Sequence, residues 1–447
     1  MWVFIEIAYH NLVQARRRTA LLGLGLLFVT FLLVSLLGLS RSIAEQLLRT
    51  STTLSSGHVN VAGFNKAKPT DAAAYITHVA AIRKIVEENT PDLDYVVDRY
   101  RGWVQLSSET DSLQTGVAGV DIAEEPRLVS MLQLAQQSAY KEGGKNAVLG
   151  DIRKLAEPDT IVIFASHAKQ LNVDVGDSVT MISQNPDGQT NTKDARVVAV
   201  AEDISMMSNF TVFTPKQAMR ELYTLPPDTS GAVHVFLKHP ENAEKMLAHL
   251  RQVFAAKGKP VMEYNPEPFW MKFETVSGED WIGEKLDLTY WKDEVSFVVW
   301  ILTVVNGISV FLVTLLLAII GVGITNTMWI AVRERTGEIG TLRAIGMSKR
   351  RVLAMFLLEA GLLGMFATAL GGVLAAVTAW GIDAANIPLP KGPLRAFLMS
   401  SHLHLSVGFG QVVLSALAIT VVTISAASWP AFRASRLQPI TAIHQVN

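Results

Sequence analysis

The residues best suited to chemistry in this sequence lie in one short charged stretch, Val332-Arg-Glu-Arg-Thr-Gly-Glu-Ile-Gly-Thr-Leu-Arg-Ala-Ile-Gly346. Arg333, Glu334, Arg335, Glu338 and Arg343 mix both signs, with Glu334, Glu338 and Arg343 offering charges along one helical face. At helical spacing Ile339, Leu342 and Ile345 form an apolar face beside them, and Gly346 stands where such a helix would end. A merely solvated connector needs neither an apolar stripe nor ordered Glu/Arg alternation. A second group is Glu359, the one acidic residue in the apolar run Val352–Ile382. A carboxylate in lipid is costly unless paired, so Arg333, Arg335 or Arg343 is expected to face it. A proton relay at that place would lack a second titratable group. His402-x-His404 has no third ligand type nearby and reads as plain loop, so no metal site is expected. Cysteine is absent, which excludes disulfides and thiol nucleophiles. The sequence also lacks G-x-x-x-x-G-K-[ST], H-E-x-x-H and G-x-S-x-G, so no catalytic residue is assigned and the chain is not expected to hydrolyse ATP.

The elements that must position these residues are apolar helices. Of the 447 residues 49% are hydrophobic and only 18% charged, and the charge is unevenly spread. A net charge of -1 gives no electrostatic case for nucleic-acid binding. Thr19–Ser40, Val295–Val332 and His402–Phe432 carry no Asp, Glu, Lys or Arg, and Val352–Ile382 carries only Glu359. Each run exceeds the roughly 20 residues that cross a bilayer as a helix. The first run is longer than a signal-peptide core and lacks a small-residue cleavage site, so it reads as an uncleaved anchor. Arg16 to Arg18, the 333–351 stretch and Arg433 with Arg436 are the basic clusters beside these runs; the positive-inside rule puts all three in the cytoplasm.

The expected order is a cytoplasmic interfacial helix at 1–18, transmembrane helix 1 at 19–40 and an extracytoplasmic domain at 41–294. Transmembrane helix 2 with a stalk occupies 295–332, the cytoplasmic coupling loop 333–351 and helix 3 352–382. An outer loop at 383–401, helix 4 at 402–432 and a cytoplasmic tail at 433–447 complete it. The fold class is an integral membrane protein, four transmembrane α-helices with a large extracytoplasmic mixed α/β domain inserted between helices 1 and 2. Trp300 and Trp329 bracket the second span as interfacial indoles should. Its 38 uncharged residues would make a helix about 57 Å long, more than a bilayer needs. Gly321, Gly323, Gly361, Gly364, Gly371 and Gly372 suit close helix contact. In the outer domain, residues 71–88, 215–223 and 240–256 read as helices. Gly116–Val120, Thr160–Phe164, Ser178–Ser183, Arg196–Ala201 and Ala232–Leu237 read as strands, with a turn at Asn185-Pro-Asp-Gly188.

The charged stretch resembles the coupling-helix signature of the MacB/LolE/FtsX permease family, roughly V-x-E-R-x-x-E-I-G-x-L-R-A-I/L-G. Asn11-Leu-Val-Gln-Ala-Arg-Arg-Arg-Thr19 is similar to that family's N-terminal helix, and Trp429-Pro-Ala-Phe-Arg-Ala-Ser-Arg-Leu-Gln-Pro-Ile-Thr-Ala442 to its tail. Ser56-Gly-His-Val-Asn-Val61 resembles the first outer strand of lipoprotein-release permeases. The resemblance implies a mechanotransmission subunit without a channel. It would work as a dimer with a second copy or a paralogous permease, and a cytoplasmic ABC ATPase would dock on each coupling helix. ATP and magnesium would be bound by that ATPase, with no cofactor in this chain. The other implied partners are a periplasmic substrate or carrier protein and membrane lipids, with no nucleic acid. Ile339 and Leu342 would bury their apolar faces in the ATPase, while Glu338 and Arg343 fix the segment. Lipoprotein release is the leading expectation; efflux of small molecules or peptides, and signalling to cell-wall hydrolases, are the alternatives.

Overall fold

The computed structural model describes residues 6–8, 10, 13–14, 16–204, 206–390 and 402–437. The expected interfacial helix at 1–18 lies partly outside the described residues. So do most of the outer loop, at 391–401, and the end of the tail, at 438–447. The principal helices are α1 (Arg16–Ser51), α2 (Val79–Asn89), α3 (Ala243–Ala256), α4 (Ser296–Glu334), α5 (Thr336–Ala344), α6 (Lys349–Ala385) and α7 (Phe409–Ser435). The chain divides into two compact units. One comprises Met1–Ala44, Ile301–Pro388 and His402–Asn447, the other Glu45–Trp300 and Leu389–Ser401.

Four helical stretches, Thr19–Ser56, Thr303–Glu334, Lys349–Ala385 and Phe409–Ser435, are long and apolar enough to cross a membrane; the last three lie in the first unit, as does the first up to Ala44. They are apolar on the outside too. Leu21, Phe28, Phe311, Val322, Leu370 and Leu414 are exposed, a surface suited to lipid. Small residues set the crossings. A Cβ on Gly371 of α6 would lie 2.5 Å from the Leu27 carbonyl oxygen of α1, and one on Gly372 2.5 Å from Val412 of α7. Gly364 is less tight, 3.3 Å from Thr423 and 3.4 Å from Thr420, whereas Gly321 makes ordinary contact and Gly323 meets nothing. Thr325 of α4 donates across to the Ala426 carbonyl of α7 at 3.0 Å, which keeps a polar group satisfied in lipid. α7 starts at Phe409 instead of 402. Absence of charge marks a segment lipid can accept, not a helix, and 402–407 instead bonds elsewhere. Leu403 N reaches Ile387 O at 2.9 Å, and Leu405 N reaches the Asp383 carboxylate at 3.0 Å.

The second unit contains strands β1 (Val59–Lys66), β2 (Ile76–Thr77), β3 (Leu93–Ser107), β4 (Ser112–Val120), β5 (Thr160–Phe164) and β6 (Ser178–Gln184). β7 (Thr190–Ala201), β8 (Thr211–Pro215), β9 (Thr229–Ser230), β10 (Ala232–Leu237) and β11 (Gly283–Tyr290) follow. β1-α2-β3 and β10-α3-β11 form a split βαβ pair with antiparallel order β11-β1-β10-β3, the ferredoxin-like arrangement. Its helix-covered face buries Val59, Val61, Val96, Val233, Val235, Leu286 and Leu288 against Ile82, Val86, Leu247, Leu250 and Phe254. Residues 108–231 form an insertion within this unit. Strand β3 is long enough to serve both parts. Residues 93–99 pair with β10 and 100–107 with β4. Its last residues also pair with β6, Leu106 opposite Met181, which closes β3-β4-β8-β5-β7-β6 into a ring.

Helix α2 is shorter than the expected 71–88, because 76–77 pair with β9 and His78 turns the chain at φ 53° before the helix begins. The Asn185–Gly188 turn forms as expected: Asn185 Oδ1 accepts from Asp187 N at 3.1 Å and Gln189 N at 2.8 Å, with Gly188 at φ +81°.

Candidate functional site

The charged stretch folds as the expected short helix and is pinned at both ends. At its start Arg335 Nε donates to Glu338 Oε2 at 2.9 Å, and Arg335 Nη1 lies 3.4 Å from Glu359 Oε2. Of the three arginines expected to face Glu359, Arg335 does so, which spares a buried carboxylate from standing alone. At its end Gly346 takes φ +104°, Met347 N donates to Leu342 O at 3.0 Å and Gly346 N to Arg343 O at 3.2 Å. That is a Schellman cap, and Gly346 is required there because a Cβ opposes positive φ. Arg343 Nη1 donates to Met347 O at 3.3 Å, so Arg343 braces the same cap.

The apolar face needs a correction. Ile339 is 1% exposed and belongs to the first unit's own core with Met328, Val332, Val352 and Met355. It holds α5 to the helices and cannot enter a partner's groove without unfolding that contact. Leu342 is half-buried, whereas Ile345, at 80% exposure, is the apolar side chain offered outward. Helical spacing groups these residues on a face but does not say which end of the face is already used. Arg333 and Glu334 are exposed beside it. Near the same ends of α4 and α7, the Arg433 guanidinium lies over both Trp329 and Trp429, 5.8 and 5.4 Å from the ring centres. That arrangement suits a membrane interface. His404 Nδ1 is 2.9 Å from Asp383 Oδ1, and no group of three metal-ligating residues occurs among the described residues.

The second unit holds a site that the sequence did not disclose. Side chains alternate along a strand. Val96, Val233 and Leu288 face the helices, so Asn60, Tyr95, Arg99, Arg101, His234, Phe236, Asp287 and Thr289 fall on the opposite face. That face is polar and yet largely buried. Arg99 donates to Glu125 through Nε at 2.6 Å and Nη2 at 2.7 Å. It also donates to the carbonyls of Leu54 at 3.1 Å and Thr53 at 2.9 Å. Those carbonyls belong to the π-helical turn Thr52–Ser56 that ends α1, where helix geometry leaves acceptors open. Lys272 pairs with Asp287 at 2.8 Å. Asn60 and Thr289 donate to Glu294 Oε1 at 3.2 and 2.7 Å. Lys66 caps the helix Lys272–Gly278, donating to Val276 O and Glu279 O at 2.7 Å each. Burial pushes the Asp293 carboxyl up to about 6 and His234 well down, the latter reinforced by the Arg99 charge. The available signal was Tyr95, Val97, Arg99 and Arg101 at period two within an otherwise β-forming run.

The Ser56–Val61 motif is explained by the same geometry. Gly57 has φ +64°, and a Cβ there would meet His234 Cβ and Val235 N at 3.0 Å. His58 Nδ1 accepts from Leu237 N at 2.8 Å, and burial lowers its pKa to about 4. Asn60 bonds Thr289 and Glu294. Gly57 and His58 join the turn after α1 to β10, and Asn60 ties β1 to β11 and Glu294, so these residues of the motif have an architectural role.

A membrane protein of four apolar helices, with a mixed α/β domain of periplasmic type between the first and second, is the class these features define. Residues 19–253, more than half of the chain, match the MacB-like periplasmic core domain, and residues 310–439 match the FtsX-like permease C-terminal domain. The chain belongs to the family of permeases that carry the MacB-like periplasmic core domain. It is 23% identical over 297 residues to the lipoprotein-releasing system transmembrane protein LolC of Neisseria meningitidis, covering 63% of this chain and 64% of that one. It is 24% identical to the macrolide export ATP-binding/permease protein MacB of Sodalis glossinidius, over 98% of this chain and 60% of that one. The chain thus spans less than two thirds of either relative. Among solved structures, the periplasmic region of MacB from Actinobacillus actinomycetemcomitans matches 45% of this chain and 85% of its own. Its TM-score is 0.29 at 14% identity.

Proposed function

We propose that this chain is the membrane subunit of an ABC-type transporter, which passes the work of a separate cytoplasmic ATPase to its outer domain. In this reading both termini and residues 333–351 are cytoplasmic and residues 41–294 lie outside. Two such subunits, identical or paralogous, pair, and an ATPase docks on each α5. The cargo is a lipoprotein released from the inner membrane, as the name of the LolC relative suggests. The observation that supports the docking role most is α5 itself. A helix held by Arg335, Ile339 and a Schellman cap cannot yield when pushed, and it still presents Ile345 outward. A tether would need none of this bracing.

Efflux of small molecules or peptides is the second reading. It is favoured by the alignment with the macrolide exporter along 98% of this chain, against 63% for LolC.

Burying Ile345 at an interface contributes roughly 1.5–3 kcal/mol, or about 10- to 150-fold in affinity. Ile345→Asp should therefore cut at least ten-fold the ATPase recovered with the tagged chain from native membranes, with membrane insertion unchanged. Recovery at the wild-type level would remove α5 as the docking element.

A further inference from the structure

Among the described residues, the buried cations of the polar sheet face of the second unit are paired, and the part-buried Arg101 beside them is not fully so. Arg99 has Glu125, Lys272 has Asp287 and Lys66 has two carbonyls. Arg101, next but one to Arg99 on the same face of β3, has buried Nε and Nη2 atoms with no hydrogen-bond partner. Its guanidinium carbon lies over the Phe269 ring, 3.8 Å from the ring centre. Glu294 and Asp287 act on it through space, but their oxygens are taken by Asn60 with Thr289 and by Lys272. Two buried N–H groups left without an acceptor cost free energy that an anionic ligand would recover.

Arg101 borders a wide cleft of the unit, about 2540 Å³ including the solvent at its mouth. Trp103, Tyr223, Phe269 and Phe273 supply its apolar wall. The Tyr223 hydroxyl is fixed between Trp103 N at 2.9 Å and Trp103 O at 2.8 Å, lying where Gly102 has no side chain. Trp103 remains 47% exposed although its backbone is held, so the indole is displayed and not merely unburied. The other charges of the cleft, Lys68, Asp71 and Asp187, sit on exposed loops in water, where they are screened. Gly231 makes room for the cation, since a Cβ there would meet Arg101 Cγ at 2.8 Å.

We propose that this cleft binds an anionic amphiphile, with the acidic head held by Arg101 and the apolar body on the Trp103–Phe269–Phe273 wall. One part-buried cation with two unpartnered N–H groups beside aromatic rings selects a carboxylate or phosphate joined to hydrocarbon or a ring, and disfavours a cationic or purely polar solute. Binding of this kind stands apart from ATPase docking and needs neither ATP nor the partner.

The test uses the full chain in lipid nanodiscs with two photoreactive probes, a diazirine-bearing dodecyl phosphate and its trimethylammonium analogue, mapped by peptide mass spectrometry. Labelling of the membrane helices serves as the internal reference. The phosphate probe should label peptides covering 100–105 and 269–273 at least ten-fold more than the cationic probe. Arg101→Gln should remove that excess, and Arg101→Lys should keep a substantial part of it. Equal labelling by both probes, or an excess that survives Arg101→Gln in a chain that melts like wild type, would overturn the proposal. The comparison of probes on the unmodified chain decides the matter even if the variant does not fold. Because no ATPase is present, a negative result leaves the docking proposal untouched.

Discussion

Removing Arg99 tests whether the buried polar face of the outer domain is a structural device or an accident of packing. The side chain is 2% exposed and serves two bonds to Glu125 and two to the Thr53 and Leu54 carbonyls. Arg99→Ala leaves a carboxylate at 1% exposure without its cation, a change worth about 3–5 kcal/mol. It also strips two buried carbonyls of their donors, about 1–3 kcal/mol for each that stays dry. Replacing the pair together, Arg99→Met with Glu125→Leu, removes the lone charge but not the open carbonyls. It should recover much of the loss and stop short of wild type. Chemical unfolding of the full chain in neutral micelles would give the two free energies, and amide exchange over 52–58 would report the turn. Exchange should accelerate in both variants, because both lose the donor to that turn. A single variant within about 1 kcal/mol of wild type would refute the clamp, since an uncompensated buried carboxylate cannot be that cheap. So would unchanged exchange at 52–58.

Two further outcomes follow from the geometry. His58 has a folded pKa depressed to about 4 by burial against an ordinary 6.5, so the unfolded chain takes up its proton first. Its contribution is whole above pH 6.5 and is lost as pH falls, about 2–3 kcal/mol by pH 4.5. Asp293, raised to about 6, works the other way, its contribution being present below pH 3.8 and lost as pH rises through 6. Wild type should therefore show a flat stability profile between pH 4 and 6. A folded His58→Gln chain should become more stable on acidification across that window, and a profile parallel to wild type would contradict this. In the membrane unit, Gly371→Leu drives a side chain into the Leu27 carbonyl and should cost about 1–3 kcal/mol in thermal unfolding. Gly323→Ala meets nothing and should be neutral or slightly stabilising; equal effects would deny that the first glycine marks a crossing.

What the sequence disclosed depended on the length scale of the signal. Apolar runs of 20 residues and more announce membrane helices by composition alone, and α4 and α6 start and stop close to the charge-free limits. The coupling segment was legible because a Schellman glycine, an apolar stripe and paired charges coincide within 15 residues. Which apolar residue was spare was not legible, because burial of Ile339 depends on contacts with α4 and α6 that spacing cannot count. Strands β5 and β10, continuous apolar runs, could be read directly. Strands β3 and β11 were missed because each carries charges on a largely buried face, where Arg99 and Asp287 look like solvent-facing residues until their partners are known. Those partners lie far along the chain: Glu125 is 26 residues from Arg99, and Glu294 is 234 from Asn60.

The central claim, that α5 receives an ATPase through the outward face around Ile345, can be tested in one measurement. The sequence has no cysteine, so Ile345→Cys creates a single thiol for a benzophenone maleimide. Irradiation in native membranes, followed by mass spectrometry of the adducts, should yield a covalent product with an ABC ATPase subunit. The same label at Asp187→Cys, in the outer-domain turn, should yield none. An ATPase that co-purifies with the chain yet is captured only from position 187, or from neither position, would contradict the account.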